Sequence, residues 1–347
     1  MTSLIPSKGR RALILAPCAL AATLALAPWA HAESIDQVYE AAKQEGKVVF
    51  WSALDGPVVR DMAAAFNKEY PGIEVEHFEI QPGPALQRIV SEAQAGQVTV
   101  DAYDTPLSYL PLLTERGLMD TSTDWKGTFG VSDTEILADG GVLHFYDLDV
   151  PIAINTSVIE PDSVKGWDDL TKPEMKGKVI VESRGIAFVM LSEAWGEERT
   201  HEYLAKLLDN DPIIIRGGTP VGEALAGGQA GAAVGTYSGR VQLYKEMGAP
   251  VDWVPVDPIP TMLYVAGVPK GAPHPNAGKL WVYWLSTSEA AQHELYEGHR
   301  FGRLTGDNIS PAGERVKEAG ASVVYESEDL AKSRRLLESF SGQIAAH

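Results

Sequence analysis

The sequence has one cysteine in 347 residues, Cys18, and it lies inside an N-terminal apolar run. Ala30-His31-Ala32 closes that run as a small-x-small cleavage site, so the segment reads as a secretory signal removed after Ala32. A mature chain from Glu33 then has no cysteine, which excludes disulfides, thiolate metal sites and cysteine nucleophiles. Pro17 before Cys18 argues against lipidation there. Positive charge is also scarce, with 29 Lys and Arg against 47 Asp and Glu. Lys8, Arg10 and Arg11 leave with the signal, taking the net charge from −18 to −21. Such an acidic protein is not built to hold nucleic acid or an anionic membrane surface. Beyond the signal no apolar run is long enough to span a bilayer. The Arg10-Arg11 pair leaves twin-arginine export open beside ordinary secretion.

Catalytic patterns are missing too. No histidine pair has the spacing of a zinc protease. Gly235-Thr236-Tyr237-Ser238-Gly239 carries its serine one place late for a nucleophile elbow. Gly217-Gly218-Thr219-Pro220-Val221-Gly222 is neither a dinucleotide fingerprint nor a phosphate loop. No residue pattern here gives catalysis positive support, and no cofactor is expected.

What is present is strand–helix alternation. Lys47–Ser52 is a short apolar strand, a helical pattern runs from Pro57 to Tyr70, and Pro71-Gly72 breaks it. Ile73–Phe78 alternates as a second strand, Leu86, Ile89, Val90 and Ala93 mark a second helix, and Val98–Asp104 is a third strand. Leu107–Leu113 reads as helix. A parallel sheet with helices on both faces follows, and its ligands belong beyond the carboxyl ends of the strands. That places Ser52 to Asp55, Gln81 to Gly83 and Asp104 to Ser108, with Thr105 among them, on one rim. Asp104 could equally cap a helix starting near Pro106.

A second unit repeats the scheme, with strands at Val179–Val181, Pro212–Arg216 and Ala230–Gly235. Ser183-Arg184-Gly185 lies between a strand and a helix, where a guanidinium and free N–H groups can meet a carboxylate or phosphonate. A surface arginine paired with Glu182 is the competing reading. Gly218-Thr219 repeats the arrangement, against N-capping of a helix from Val221 by Thr219. Tyr237 either stacks on a ligand or is a half-buried core tyrosine. The mature length of 315 suggests two domains. The assembly expected is two α/β lobes, 33–150 with the returning 260–347 as the first and 151–259 as the second. C-terminal helices could reach back to the second lobe. The crossings fall near Val150–Asn155 and Pro258–Tyr264.

These segments, in order, resemble the periplasmic solute-binding proteins of bacterial ATP-driven importers, in the ferric-ion-binding branch of the type II fold. The resemblance rests on Val48–Ala53, Phe66–Ile73, Glu115–Leu118, Ile154-Asn155-Thr156, Trp167–Leu170, Pro173–Lys178, Lys270–Ala277 and Trp284–Ala290. It implies two lobes, each a mixed, mostly parallel sheet flanked by helices, that trap a small solute. It also implies a periplasmic monomer docking on a permease with its ATPase. Ferric binders of this branch present two adjacent tyrosines where this chain has Tyr237-Ser238, and a histidine where it has Ala53-Leu54-Asp55-Gly56. The expected ligand is therefore an organic anion, carboxylate or phosphonate, held chiefly by Arg184. The alternatives are ferric iron on Tyr237 and a subunit presenting its ligand to a membrane sensor kinase. The site residues are expected to be Ser52, Asp55, Asp104, Thr105, Ser183, Arg184, Gly218, Thr219 and Tyr237.

Overall fold

The structure, a computed structural model, describes residues 33–347. The predicted signal segment, its cleavage site and Cys18 lie outside the described residues. The strands in chain order are β1 Lys47–Ser52, β2 Glu74–Glu79, β3 Ala102–Pro106, β4 Ile136–Leu137, β5 Val142–Asp149 and β6 Ile152–Asn155. They continue with β7 Val179–Glu182, β8 Ile213–Ile215, β9 Ala232–Val234, β10 Val251–Val254, β11 Ile259–Gly267 and β12 Val323–Tyr325. They form two sheets, one per lobe. The seven-stranded sheet runs β2-β1-β3-β11-β5-β4 with β12 added to β11, and the five-stranded sheet runs β10-β6-β9-β7-β8.

The parallel pairings are those of the strand–helix–strand units. In lobe 1, β1 pairs in parallel with β2 and β3, and in lobe 2, β7 pairs in parallel with β8 and β9. A connecting helix returns the chain to the same sheet end, so such strands run the same way. Every antiparallel pairing involves a strand that carries the chain between lobes, β5, β6, β10 or β11. β5 leads through Val150-Pro151 into β6, and β10 leads through 255–258 into β11. Val150 donates its N–H to Pro260 O at 2.8 Å, so the two crossings lie side by side.

Local sequence explains most elements. Helix Gly56–Glu69 buries Val58, Val59, Met62, Ala65 and Phe66 along one face. Helix Pro275–Thr287 buries Trp281 and Trp284, which meet Phe66 edge-on at 5.0 and 5.4 Å. The third strand begins at Ala102 instead of Val98. The Asp101 carboxylate takes the Val49 N–H at 2.8 Å, occupying a donor that the strand ladder would otherwise use. Leu107–Leu113 is not one helix but a 3₁₀ turn, Leu107–Tyr109, and a short helix, Pro111–Thr114. Pro111 has no N–H with which to continue a helix across the break.

After β11 the chain returns to lobe 2 in ways that periodicity does not show. Helix Pro311–Ala319 places Arg315 on Asp252 at 2.7 Å and over the Trp253 ring at 4.3 Å. Helix Leu330–Ala345 buries Leu336, Phe340 and Ile344 in the core around Phe188, Leu191 and Leu204. Tyr237 and Met262 pack against the cores of both lobes and so mark the seam.

Candidate ligand site between the lobes

At the end of β1, Ser52 is buried and its Oγ accepts the Leu54 N–H at 3.0 Å. It also lies against Asp104, which β3 carries beside it. Asp104 is 2 % exposed; its Oδ2 accepts the Tyr146 hydroxyl at 3.5 Å, while its Oδ1 has no partner. Burial pushes this carboxyl up to about 7, against weaker lowering by Ser52 and Tyr146. Asp104 therefore caps no helix; Pro106 stands at the start of the following turn. Thr105 is also buried, but strand alternation turns it to the opposite face of the sheet. Its immediate neighbours Tyr103 and Leu107 belong to the other core layer, so Thr105 and Asp104 do not share a site.

Asp104 sits beside an aromatic wall. Tyr146 of β5 and Tyr264 of β11 are partners in the ladder, and their rings stack at 4.5 Å and 16°. Phe301 lies parallel to Tyr146 on centres 6.0 Å apart and meets Tyr237 edge-on at 6.4 Å. Burial raises all three tyrosine hydroxyls, and Arg184 partly counters the rise at Tyr237. No periodicity singled out Tyr146 or Tyr264, because on a buried strand an aromatic reads as core, and Phe301 lies in the loop after helix Glu289–His299, where there is no period to read.

On the lobe 2 side, the end of β7 forms a compact charged turn. The buried Glu182 carboxylate accepts Arg184 Nε at 2.8 Å, Arg184 N at 3.0 Å and Gly217 N at 2.9 Å. Arg184 thus makes the Glu182 pair, yet its side chain stays 36 % exposed and its guanidinium lies beside the Tyr237 hydroxyl. Ser183 donates its N–H to Ile215 O at 2.9 Å. Gly185 has φ +72° and backs onto the C-terminal helix, where a Cβ would stand 3.0 Å from Phe340 Cβ. Gly218 lies under Tyr237, since a Cβ there would be 2.9 Å from the ring and 3.1 Å from Gly235 O. The helix begins at Gly218 instead of Val221; Gly217 is its N-cap, so Thr219 sits inside the first turn and caps nothing.

The structure therefore brings Ser52 and Asp104 together in lobe 1, and Arg184, Gly218 and Tyr237 together in lobe 2, with Tyr237 at the seam. Asp55 lies at the edge, its carboxylate exposed and 3.8 Å from His299 Nε2. Two further contacts join the lobes. Ser238 Oγ donates to Asp149 Oδ1 at 2.7 Å, and Gly239 lets its helix start against the His299 and Arg300 carbonyls, where a Cβ would lie 2.7 Å from the first. Among the described residues no three His, Cys, Asp or Glu side chains gather as a cation site. No helix there is long and apolar enough to cross a membrane.

The profile of the family described as bacterial extracellular solute-binding protein matches residues 61–307. No curated protein matches the chain. Among solved structures, iron-bound HitA from Pseudomonas aeruginosa is similar at 17 % identity and a TM-score of 0.69, covering 85 % of this chain and 99 % of that one. The Atu4243–GABA receptor is similar at 19 % identity and 0.67, covering 87 % and 98 %. AfuA from Actinobacillus pleuropneumoniae with fructose-6-phosphate is similar at 17 % identity and 0.61, covering 87 % and 99 %. At these identities the likeness is one of fold, a two-lobed periplasmic binding protein.

Proposed function

The chain belongs to the bacterial extracellular solute-binding proteins, and we propose that it is the periplasmic substrate-binding component of an ABC importer. In this reading it captures a small organic anion, a carboxylate or phosphonate, between its lobes and delivers it to a membrane permease driven by an ATPase. The single observation that carries the ligand class is Arg184. Its Nε is committed to Glu182, which fixes the guanidinium, while over a third of the side chain remains exposed beside Tyr237 at the seam. A guanidinium held in advance by a buried carboxylate can pair with an incoming anion with little ordering cost.

Lobe 1, built from 33–150 and the return from 260, and lobe 2, built from 151–259 with the C-terminal helix packed on it, would swing about the paired crossings to exclude water from that pair. The acidic chain suits a monomer that binds no nucleic acid. Its N-terminus suits cleavage after Ala32 and release into the periplasm, which N-terminal sequencing tests by finding Glu33 first. Thermal-shift screening of the mature protein tests the ligand class. Carboxylates or phosphonates should raise the melting temperature by mass action, and stabilisation by neutral sugars alone would sink the reading.

A further inference from the structure

We infer that the anion this protein captures also carries a cationic amine, and that Asp104, set against the stacked rings of Tyr146 and Tyr264, is the subsite for it. The inference rests on the reading of Arg184 as the anion's partner and extends it to the other end of the ligand.

The carboxylates near the seam are not alike. Glu182 is satisfied three times, by two donors of Arg184 and one of Gly217. Asp149 likewise leaves Oδ2 without a partner, but Ser238 holds its Oδ1 at 2.7 Å, closer than the 3.5 Å contact on Asp104. Asp104 is 2 % exposed, forms no ion pair with any basic side chain of the described residues, and leaves Oδ1 without a partner. A buried acidic side chain in that state costs stability and is rarely kept unless something completes it. What surrounds it suits a cation. Tyr146 donates its hydroxyl to Oδ2, and the Tyr146–Tyr264 stack at 4.5 Å sets aromatic rings beside the acid. Aromatic faces and a carboxylate together attract an ammonium group.

The two poles belong to one seam. Tyr264 and Tyr146 each feel the charge of Asp104 and the hydroxyl of Tyr237, and Tyr237 in turn lies beside Arg184. A fixed guanidinium therefore stands at one end, an uncompensated acid at the other, and the rings of Tyr146, Tyr237 and Phe301 between them. The matching solute is a small zwitterion whose amine and acid are separated by a short apolar chain: an ω-amino carboxylate or an aminoalkylphosphonate. A simple carboxylate would satisfy Arg184 but leave Asp104 buried and unpaired on closure, which is the basis for discrimination.

The test compares matched pairs on the mature protein by thermal shift and calorimetry. The pairs are β-alanine with propionate, 4-aminobutyrate with butyrate, 5-aminovalerate with valerate, and 2-aminoethylphosphonate with ethylphosphonate; propylamine and butylamine stand apart as amines without an acid. At least one aminated member should bind about 30-fold or more tighter than its deaminated partner. Asp104→Asn should shrink that ratio to about threefold or less, and Arg184→Ala should weaken both members. Equal binding within every pair overturns the amine subsite and leaves the anion reading standing. Binding of the simple amines without any acid would instead overturn the anion reading while keeping Asp104. No response to any of the three sets overturns both. The comparison within pairs uses the unaltered protein, so it decides the matter even if a variant folds poorly.

Discussion

Replacing Asp104 by asparagine should make the empty protein more stable in alkaline buffer. The carboxyl titrates at about 7 in the fold against 3.8 when free, because it is buried with one oxygen unpaired. Between those values the folded state holds a proton that the unfolded state has lost. For a raised carboxyl the stabilising proton is fully present below about 3.8, and stability falls as pH climbs toward about 7. Above that range the ionised, buried Asp104 costs up to about 4 kcal/mol, at about 1.4 kcal/mol per pH unit between the two values. Asparagine keeps the shape and cannot ionise, so the variant avoids this cost, less whatever its amide loses in unmade hydrogen bonds. Conversion at about 2 °C per kcal/mol gives a rise of up to about 8 °C at pH 8. The gain should vanish near pH 4. Asp149 and Glu326 are also raised, to about 6 and about 7, and Glu135 and Asp252 are lowered. The readout is therefore the difference between variant and parent at each pH, in which these shared contributions cancel. Calorimetric melts at pH 4, 6 and 8 provide it. A variant no more stable than the parent at pH 8 would refute the reasoning, since Asp104 would then be paired or wet.

Other outcomes follow from the same geometry. Arg184→Ala should weaken binding of the captured anion roughly 30-fold to several thousand-fold, the cost of breaking a desolvated charged pair, whereas loss within threefold by calorimetry would make Arg184 a surface residue held by Glu182. Arg303→Ala should destabilise the protein by about 3–5 kcal/mol, because the buried guanidinium meets Glu135 at 2.5 Å and the carbonyls of His144, Phe145 and Ser286; urea unfolding measures it. Saturating ligand should reduce the radius of gyration in small-angle scattering as the lobes close, and an unchanged radius counts against hinge motion. Ferric citrate should give no visible tyrosinate-to-iron band, since Tyr237 is followed by Ser238 and has Arg184 beside it; an intense band lost in Tyr237→Phe would reverse the choice of ligand class.

The sequence was most legible where neighbours along the chain decide the conformation. The apolar run at Lys47–Ser52, the stop at Pro71-Gly72 and the spacing of Val58, Met62 and Phe66 place strand, turn and helix where the structure has them. It was least legible where a distant group competes for a backbone donor. Asp101 delays the third strand by taking the Val49 N–H, and nothing in Val98–Asp104 announces that. The rim rule brought Asp104 and Thr105 forward together, and only strand alternation in a known register separates them.

By itself, then, the sequence determined the two α/β lobes, the two stretches where the chain crosses between them and the strand ends where a solute can sit, because periodicity and turn residues act within a few positions of one another. The tertiary structure alone decided which of those strand-end residues matter. Tyr146 and Tyr264 are 118 positions apart and become one stack only through the β5–β11 register, and the same sheet leaves Asp104 buried beside them with an oxygen unpaired. Whether a polar atom finds a partner depends on what every surrounding element presents to it, and that is a property of the assembled fold.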